Sequence, residues 1–321
     1  MIVRWGIETL PEALDEAGVT KPLYVASPRW DSLELPVQES ARWREVPSTR
    51  IEEAAALAGD GVLALGGGSA IDLGKAISAQ AELPLVSVPT TYSGAEWTTM
   101  YGIRDPERKM RGHGTGARPT AIVYDARLTV DLPRETTVGT ALNALAHCAE
   151  ALYVLGHNEA ADGHALEGAQ LISQWLPEVV ERPHDRDART ELLRGACHGG
   201  AALGGSMLAL GHAMAQAIGG RYGLPHGTLN GIVLAPVLRF NAAIVPDAVR
   251  RFGAAIGAPD DPAARVEELT ALAGPTRLSE LGVPEGDIPA LAASAAGRGG
   301  NLANPKPASP EEIEQLLRSV F

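Results

Sequence analysis

Asn143 and His147 stand four residues apart in the run ALNALAHCAEALY, an interval that sets both on one face of a helix. His212 and Gln216 repeat the interval in GHAMAQAIGG, and His226 follows 14 residues after His212 in Leu-Pro-His-Gly. Neutral imidazole is a common ligand for divalent transition metals, and it titrates near neutral pH. Three histidines on separate elements could therefore converge on one cation or handle a proton together. Taken singly, a hydrogen-bonded core or capping histidine is the commoner fate. His113, His157, His164, His184 and His198 show no pattern beyond that one.

A second constellation lies upstream. Gly66-Gly-Gly-Ser-Ala-Ile-Asp72-Leu-Gly-Lys75 follows directly on the apolar run GVLAL and opens a helical stretch. Consecutive glycines let a backbone approach its ligand closely, and free N–H groups at a helix N-terminus favour phosphate. On its own the same pattern also fits a plain tight turn. Pro89-Thr-Thr-Tyr-Ser-Gly-Ala-Glu-Trp-Thr98 follows the next apolar run, and its hydroxyls suit a second wall of a nucleotide cleft. Thr90 and Thr91 serve equally well as helix caps.

These residues need a scaffold, and the chain supplies two kinds. Pro22–Ala26, Gly61–Leu65, Pro84–Val88 and Thr120–Tyr124 are short apolar runs bounded by Gly, Pro or Asp, with helical patterns at 8–19, 50–59 and 70–81. Strand, helix, strand in this rhythm predicts a mostly parallel sheet covered on both faces. From Thr136 onward strand signals stop, and helical segments follow, broken near 182–185, 220–227, 257–262 and 304–310. Ser309 and Pro310 read as the cap and first position of a last helix. The expected division is an α/β dinucleotide-binding domain over 1–135 and an all-α domain over 136–321.

Composition sets limits. At 321 residues the length suits two domains, and 45% apolar with 21% charged residues is an ordinary globular balance. A net charge of −12 without a basic stripe argues against a nucleic-acid partner. Two cysteines, Cys148 and Cys197, are too few for a disulfide framework and fit a reduced, cytoplasmic chain. The opening MIVRWGIETLPEALDEAG is not expected to be a signal peptide, and no membrane partner is expected. Ala201–Gly220, the most apolar stretch, is expected to form one buried helix rather than a membrane span.

Six ordered motifs together resemble the iron-containing (group III) alcohol dehydrogenase superfamily. They are the early Gly6, GGGSAIDLGK, PTTYSGAEWT, Tyr124-Asp125 with Leu128 and Pro133, ALNALAHCAEALY, and GHAMAQAIGGRYGLPHGTLNGIVLAP. The resemblance implies the fold shared by dehydroquinate synthase and these dehydrogenases, NAD or NADP as cofactor, a small-molecule substrate, a homodimer, and chemistry in the cleft between the domains. Gly66, Gly67, Gly68 and Ser69 would hold the pyrophosphate, with Asp72, Thr90, Thr91 and Ser93 lining the rest of the cofactor cleft. Metal-dependent members hold Fe or Zn with one Asp and three His, at the positions of Asn143, His147, His212 and His226.

Two positions depart from that pattern. Asn143 brings a dipole where the ligand set has a carboxylate, so a dication loses a compensating charge and weak or absent metal is expected. Gln216 stands where many alcohol dehydrogenases of the family have another histidine. The amide at 143 is also found in the maleylacetate reductase branch, which PTTYSGAEWT and IGGRYGLPH resemble most. That branch implies hydride transfer from NADH or NADPH to maleylacetate, giving 3-oxoadipate late in aromatic-ring degradation. Lys109 and Arg111 would then face substrate carboxylates, Ser27 and Arg29 would permit a 2′-phosphate on the cofactor, and His212 or His226 would donate the proton. The rival readings are a metal-dependent alcohol or aldehyde oxidoreductase, an NAD-using lyase related to dehydroquinate synthase, and a non-catalytic nucleotide-binding remnant.

Overall fold

Strands in this chain are apolar at consecutive positions because both of their faces are covered. In the computed structural model, which describes residues 1–321, eight strands form: β1 (Ile2–Trp5), β2 (Pro22–Val25), β3 (Ala41–Trp43), β4 (Gly61–Gly66), β5 (Pro84–Pro89), β6 (Tyr101–Arg104), β7 (Met110–Gly114) and β8 (Arg118–Tyr124). Six of them make one sheet in the order β1-β8-β5-β4-β2-β3, every neighbouring pair parallel. β6 and β7 form a separate antiparallel hairpin.

The side-chain alternation divides the sheet cleanly. Tyr24, Leu63, Leu65, Val86, Val88, Ala121 and Val123 pack on one face with Leu10, Ala13 and Leu14 of helix α1 (Leu10–Glu16). Leu23, Val25, Val62, Ala64 and Leu85 face the other way, against Ala54 of α2 (Ile51–Ala55) and Ile71, Leu73 and Ile77 of α3 (Gly68–Ala81). The four predicted strands and three predicted helices are all present, with shorter ends on α1 and α2. β1, β3 and the hairpin were not legible. β3 is three residues with an arginine at its centre, and β7 is a polar, glycine-containing run.

These strands and helices belong to one compact unit, Met1–Thr91 with Ala95–Thr129; Tyr92–Gly94 with Val130–Phe321 form a second. The second is entirely helical: α4 (Arg134–Ala151), α5 (Glu159–Glu181), α6 (Arg186–Gly204), α7 (Leu210–Tyr222), α8 (His226–Ala242), α9 (Pro246–Ala255), α10 (Pro262–Ala271), α11 (Ile288–Ala296), α12 (Gly299–Ala303) and α13 (Pro310–Ser319). The predicted breaks coincide with the gaps after α5, α7, α9 and α12. Ser309 caps α13 in a full capping box with Glu312.

α4 is the axis of this unit: every residue from Ala141 to Ala151 is buried, as for a helix surrounded by others. Small residues let its neighbours close in. A Cβ on Gly199 of α6 would fall 2.8 Å from the Ala144 carbonyl, and one on Gly227 of α8 would fall 2.2 Å from that of Gly139. Asn143, His147 and Glu150 are thus held at the centre of a helical core. Ala201–Gly220 does not form the single helix expected. The helix stops at Gly204, the chain turns, and α7 begins at Leu210, where a carboxylate from α4 meets its first N–H groups. No helix is long and apolar enough to cross a membrane.

Candidate active site

Gly66 ends β4 opposite Pro89 of β5, so the glycine turn and the Thr90-Thr91 turn leave the carboxyl ends of adjacent central strands. Thr90 N–H donates to the Gly66 carbonyl at 3.0 Å, joining the two turns. Gly66 has φ +147, and a Cβ there would lie 2.7 Å from that of Ala70; one on Gly67 would lie 2.9 Å from Thr91 Cγ2. Only glycine leaves this turn open. Gly67 caps α3 with no side-chain acceptor; its carbonyl takes the Ala70 and Ile71 N–H groups, leaving those of Gly68 and Ser69 at the helix N-terminus, the arrangement that binds phosphate. Ser69 lies in that turn, and the Thr91 hydroxyl beside it is buried and unpartnered.

Asp72 sits one turn further along α3. Its carboxylate accepts from Gly102 N at 3.2 Å and pairs with Lys75 at 3.0 Å. Lys75, almost wholly buried, also donates to Thr98 Oγ1 and the Met100 carbonyl. The pair anchors the hairpin to α3. Close by, Tyr124 donates to buried Glu96 at 2.6 Å and accepts from Trp97 Nε1 at 2.8 Å, and burial pushes the Glu96 carboxyl above its usual range.

In the helical unit the three histidines come together. His147 on α4 and His212 on α7 stack with ring centroids 4.9 Å apart and planes 14° apart, and His226 at the start of α8 lies 5.5 Å from His212. Glu150, one turn along α4 from His147 and without exposure, accepts from His212 Nδ1 at 2.7 Å, from Ala209 N at 2.7 Å and from His212 N at 3.0 Å. That bond sets the His212 tautomer and leaves its Nε2 buried with no partner. Burial above all, and then the charges of His212 and His226, hold His147 well below the ordinary histidine range, so it stays neutral.

Asn143 is held on both sides. Its amide donates to the Ser93 carbonyl at 2.9 Å, and its oxygen accepts from Asn230 at 2.7 Å; the Asn230 nitrogen also lies 3.1 Å from His226 Nε2. The amide at 143 is thereby a link between the 92–94 segment and α8. Its fit to a metal is poor. The nearest carboxylate, Glu150, is engaged by α7, and no three His, Cys, Asp or Glu side chains form a group that could hold a metal ion. His147 and His212 stack nearly parallel and His226 is tilted by 53° against His212, so the cluster offers three imidazoles and an amide, with its buried carboxylate already engaged, and a dication here would lack a balancing charge.

The predicted residues therefore fall into three groups. His147, His212 and His226 cluster with Asn143 and the Ser93 backbone. Gly66, Gly67, Gly68, Ser69, Thr90 and Thr91 form one turn system, with Asp72 turned toward the hairpin. Lys109 lies on the hairpin, exposed, its ammonium 2.8 Å from Glu107, and Arg111 pairs with Asp105. Sequence reasoning missed Glu150 and Asn230. Their intervals, three after His147 and four after His226, were visible, but nothing in the sequence told these residues from ordinary helical ones.

Comparison with known proteins fits this geometry. A family model described as iron-containing alcohol dehydrogenase matches residues 6–126, and one for the C-terminal part of the same family matches 137–321. A maleylacetate reductase of Pseudomonas knackmussii is 33% identical over 97% of this chain and 92% of its own length. Among solved structures, a putative alcohol dehydrogenase from Ralstonia eutropha JMP134 superposes with TM-score 0.91 at 33% identity, covering 100% of this chain and 95% of that one. Maleylacetate reductase from Rhizobium sp. strain MTP-10005 superposes at 0.90 with 28% identity and the same coverage.

Two tests follow from the geometry. In Gly67→Ala the added methyl must displace Thr91, and dinucleotide affinity should fall by roughly ten-fold with little change in thermal stability. Unchanged affinity in a fluorescence titration would remove the turn from the cofactor site. For His147, the unfolded chain takes up a proton below about pH 6.5 while the folded ring resists it. Stability is therefore complete above that pH and declines below it, by up to about 1.4 kcal/mol per pH unit. Urea unfolding at pH 7.5 and 5.5 should show a steeper loss for the wild type than for His147→Gln, and parallel losses would refute the assignment.

Proposed function

Since the chain belongs to the iron-containing alcohol dehydrogenase family of NAD(P)-dependent oxidoreductases, we propose that it reduces maleylacetate, or a closely similar oxo-enoate dicarboxylate, with NADH or NADPH. The observation that carries this reading is the imidazole cluster itself. One histidine is neutral, one is backed by a buried carboxylate, and an amide stands where a metal-binding relative has an acid. In this reading residues 1–135 bind the dinucleotide and 136–321 the substrate, in a cytoplasmic homodimer.

A bound reduced nicotinamide would supply a hydride to the alkene carbon β to the oxo group. Gly66, Gly67, Gly68 and Ser69 would hold its pyrophosphate through backbone N–H groups. Electron density moves to the substrate oxygen, where a protonated imidazole stabilises the enolate, and the neighbouring carbon then takes a proton. Of the three rings, His212 is the best placed to carry that proton, because the Glu150 carboxylate fixes its Nδ1 and leaves Nε2 without a protein partner. His147, kept neutral, cannot compete for it. No step requires a metal.

The direct test is an oxidation assay with NADH and NADPH over maleylacetate, simple keto acids and aldehydes, before and after chelation and with added zinc or iron. Turnover of maleylacetate that survives chelation is expected. Activity confined to aldehydes and abolished by chelation would replace this reading with the metal-dependent one. Glu150→Gln keeps the shape but removes the charge behind His212. It should lower kcat by roughly ten- to a hundred-fold while dinucleotide affinity stays the same. It should also shift the pH profile of kcat, which a purely structural role for Glu150 would leave in place.

A further inference from the structure

Arg298 differs from the other arginines of the helical unit in having a buried side-chain nitrogen without a hydrogen-bond partner. Its neighbour Arg221 pairs with Asp287, and Arg318 with Glu285 and Glu314. The Nε of Arg298 is buried and hydrogen-bonds to nothing, and burial, with no acid to oppose it, lowers its affinity for its proton. An unpaired, partly desolvated guanidinium is costly unless it meets an anion.

Its position says which anion. Arg298 precedes α12, which lies against α7: a Cβ on Gly300 would fall 2.5 Å from the Ala209 carbonyl and 3.5 Å from Ala213 Cβ. Further along α7, Arg298 Nη2 stands 3.9 Å from where a Cβ on Gly220 would be. Leu210 through Ala215 are buried, as are Ala217 and Ile218, whereas Gln216, Gly219 and Gly220 are not. An accessible strip of α7 therefore begins one turn beyond His212 and ends at the Arg298 guanidinium, and its two glycines put no side chain in the way. From His212 to Gly220 is eight residues, or about 12 Å along the helix axis. An extended six-carbon dicarboxylate measures roughly 6 Å between its end carbons, and a hydrogen bond of about 3 Å at each end brings it close to that span.

We propose that Arg298 receives the substrate carboxylate farther from the reacting carbon and so selects a dicarboxylate over a monocarboxylate. The assignment rests on the dicarboxylate reading of the substrate above. A planar guanidinium suits this role because it grips a carboxylate with two parallel N–H donors. Lys109 and Arg111, the basic residues singled out in the sequence, already have acidic partners on their own hairpin, and Arg298 has none.

The test uses Arg298→Gln and Arg298→Lys in the full chain, with thermal unfolding to show that both fold. For maleylacetate, Arg298→Gln should raise KM by roughly ten- to a hundred-fold with kcat little changed, and Arg298→Lys should recover part of the loss. A monocarboxylate analogue lacking the far carboxylate should give the same KM with all three proteins. Calorimetric titration with adipate, which cannot react, should show the same loss of affinity in Arg298→Gln. If the wild type turns over maleylacetate but the variant keeps its KM, the role of Arg298 falls and the proposed function stands. If the wild type turns over no oxo dicarboxylate, the proposed function falls. The adipate titration then decides on Arg298 alone: binding lost with the arginine upholds the subsite, and equal binding, or none to the wild type, overturns it.

Discussion

A carboxylate with no access to water, Glu150, is the constraint around which the helical unit is arranged. Burying that charge costs several kcal/mol unless its lone pairs are met. Here they are met by Ala209 N, His212 N and His212 Nδ1. Ala209 is the N-cap of α7 and contributes no side-chain cap of its own. Glu150 therefore does from α4 what a capping Ser or Asp would do locally, and it places negative charge at the positive end of the α7 dipole. One carboxylate fixes where α7 starts and how the His212 ring is turned.

That double role explains both what was legible in the sequence and what was not. The parallel sheet could be read because runs such as GVLAL and PLVSV leave few other structures open, and the glycine turn because three glycines after a strand have a narrow range of uses. The histidines stood out by residue type. Ala201–Gly220 misled because its apolar, small residues suit a helix throughout, and the break between α6 and α7 is imposed from α4, 59 residues upstream of Ala209. Glu150 itself looks like one more acid in a helical run. Asn230 needed His226 and Asn143 as neighbours before it meant anything. Arg298 is recognised by the lack of a partner, a property that no stretch of sequence displays.

The electrostatics of the cluster depend on inequality among like groups. Three adjacent imidazoles cannot all be protonated, because each charge raises the cost of the next. Burial keeps His147 neutral, Asn230 stands against His226 Nε2, and only His212 has a buried anion behind it. A carboxylate at position 143 would face the same rings and favour a dication or a second proton there. With Asn143 hydrogen-bonded to the Ser93 carbonyl and to Asn230, position 143 brings no charge of its own to the rings.

The chain as a whole carries a net charge of −12, which repels an anionic substrate at long range. Screening reduces that repulsion beyond roughly 10 Å, so recognition is left to charges close to the ligand. Most arginines cannot contribute, because they are matched with nearby acids on the surface; Arg42, Arg50 and Arg127 are examples. A cation held back from such pairing keeps its full attraction for an incoming carboxylate. The position of Arg298, beside Gly220 and without an acidic partner, has this effect in the proposed role: its charge is not already matched when a substrate carboxylate arrives.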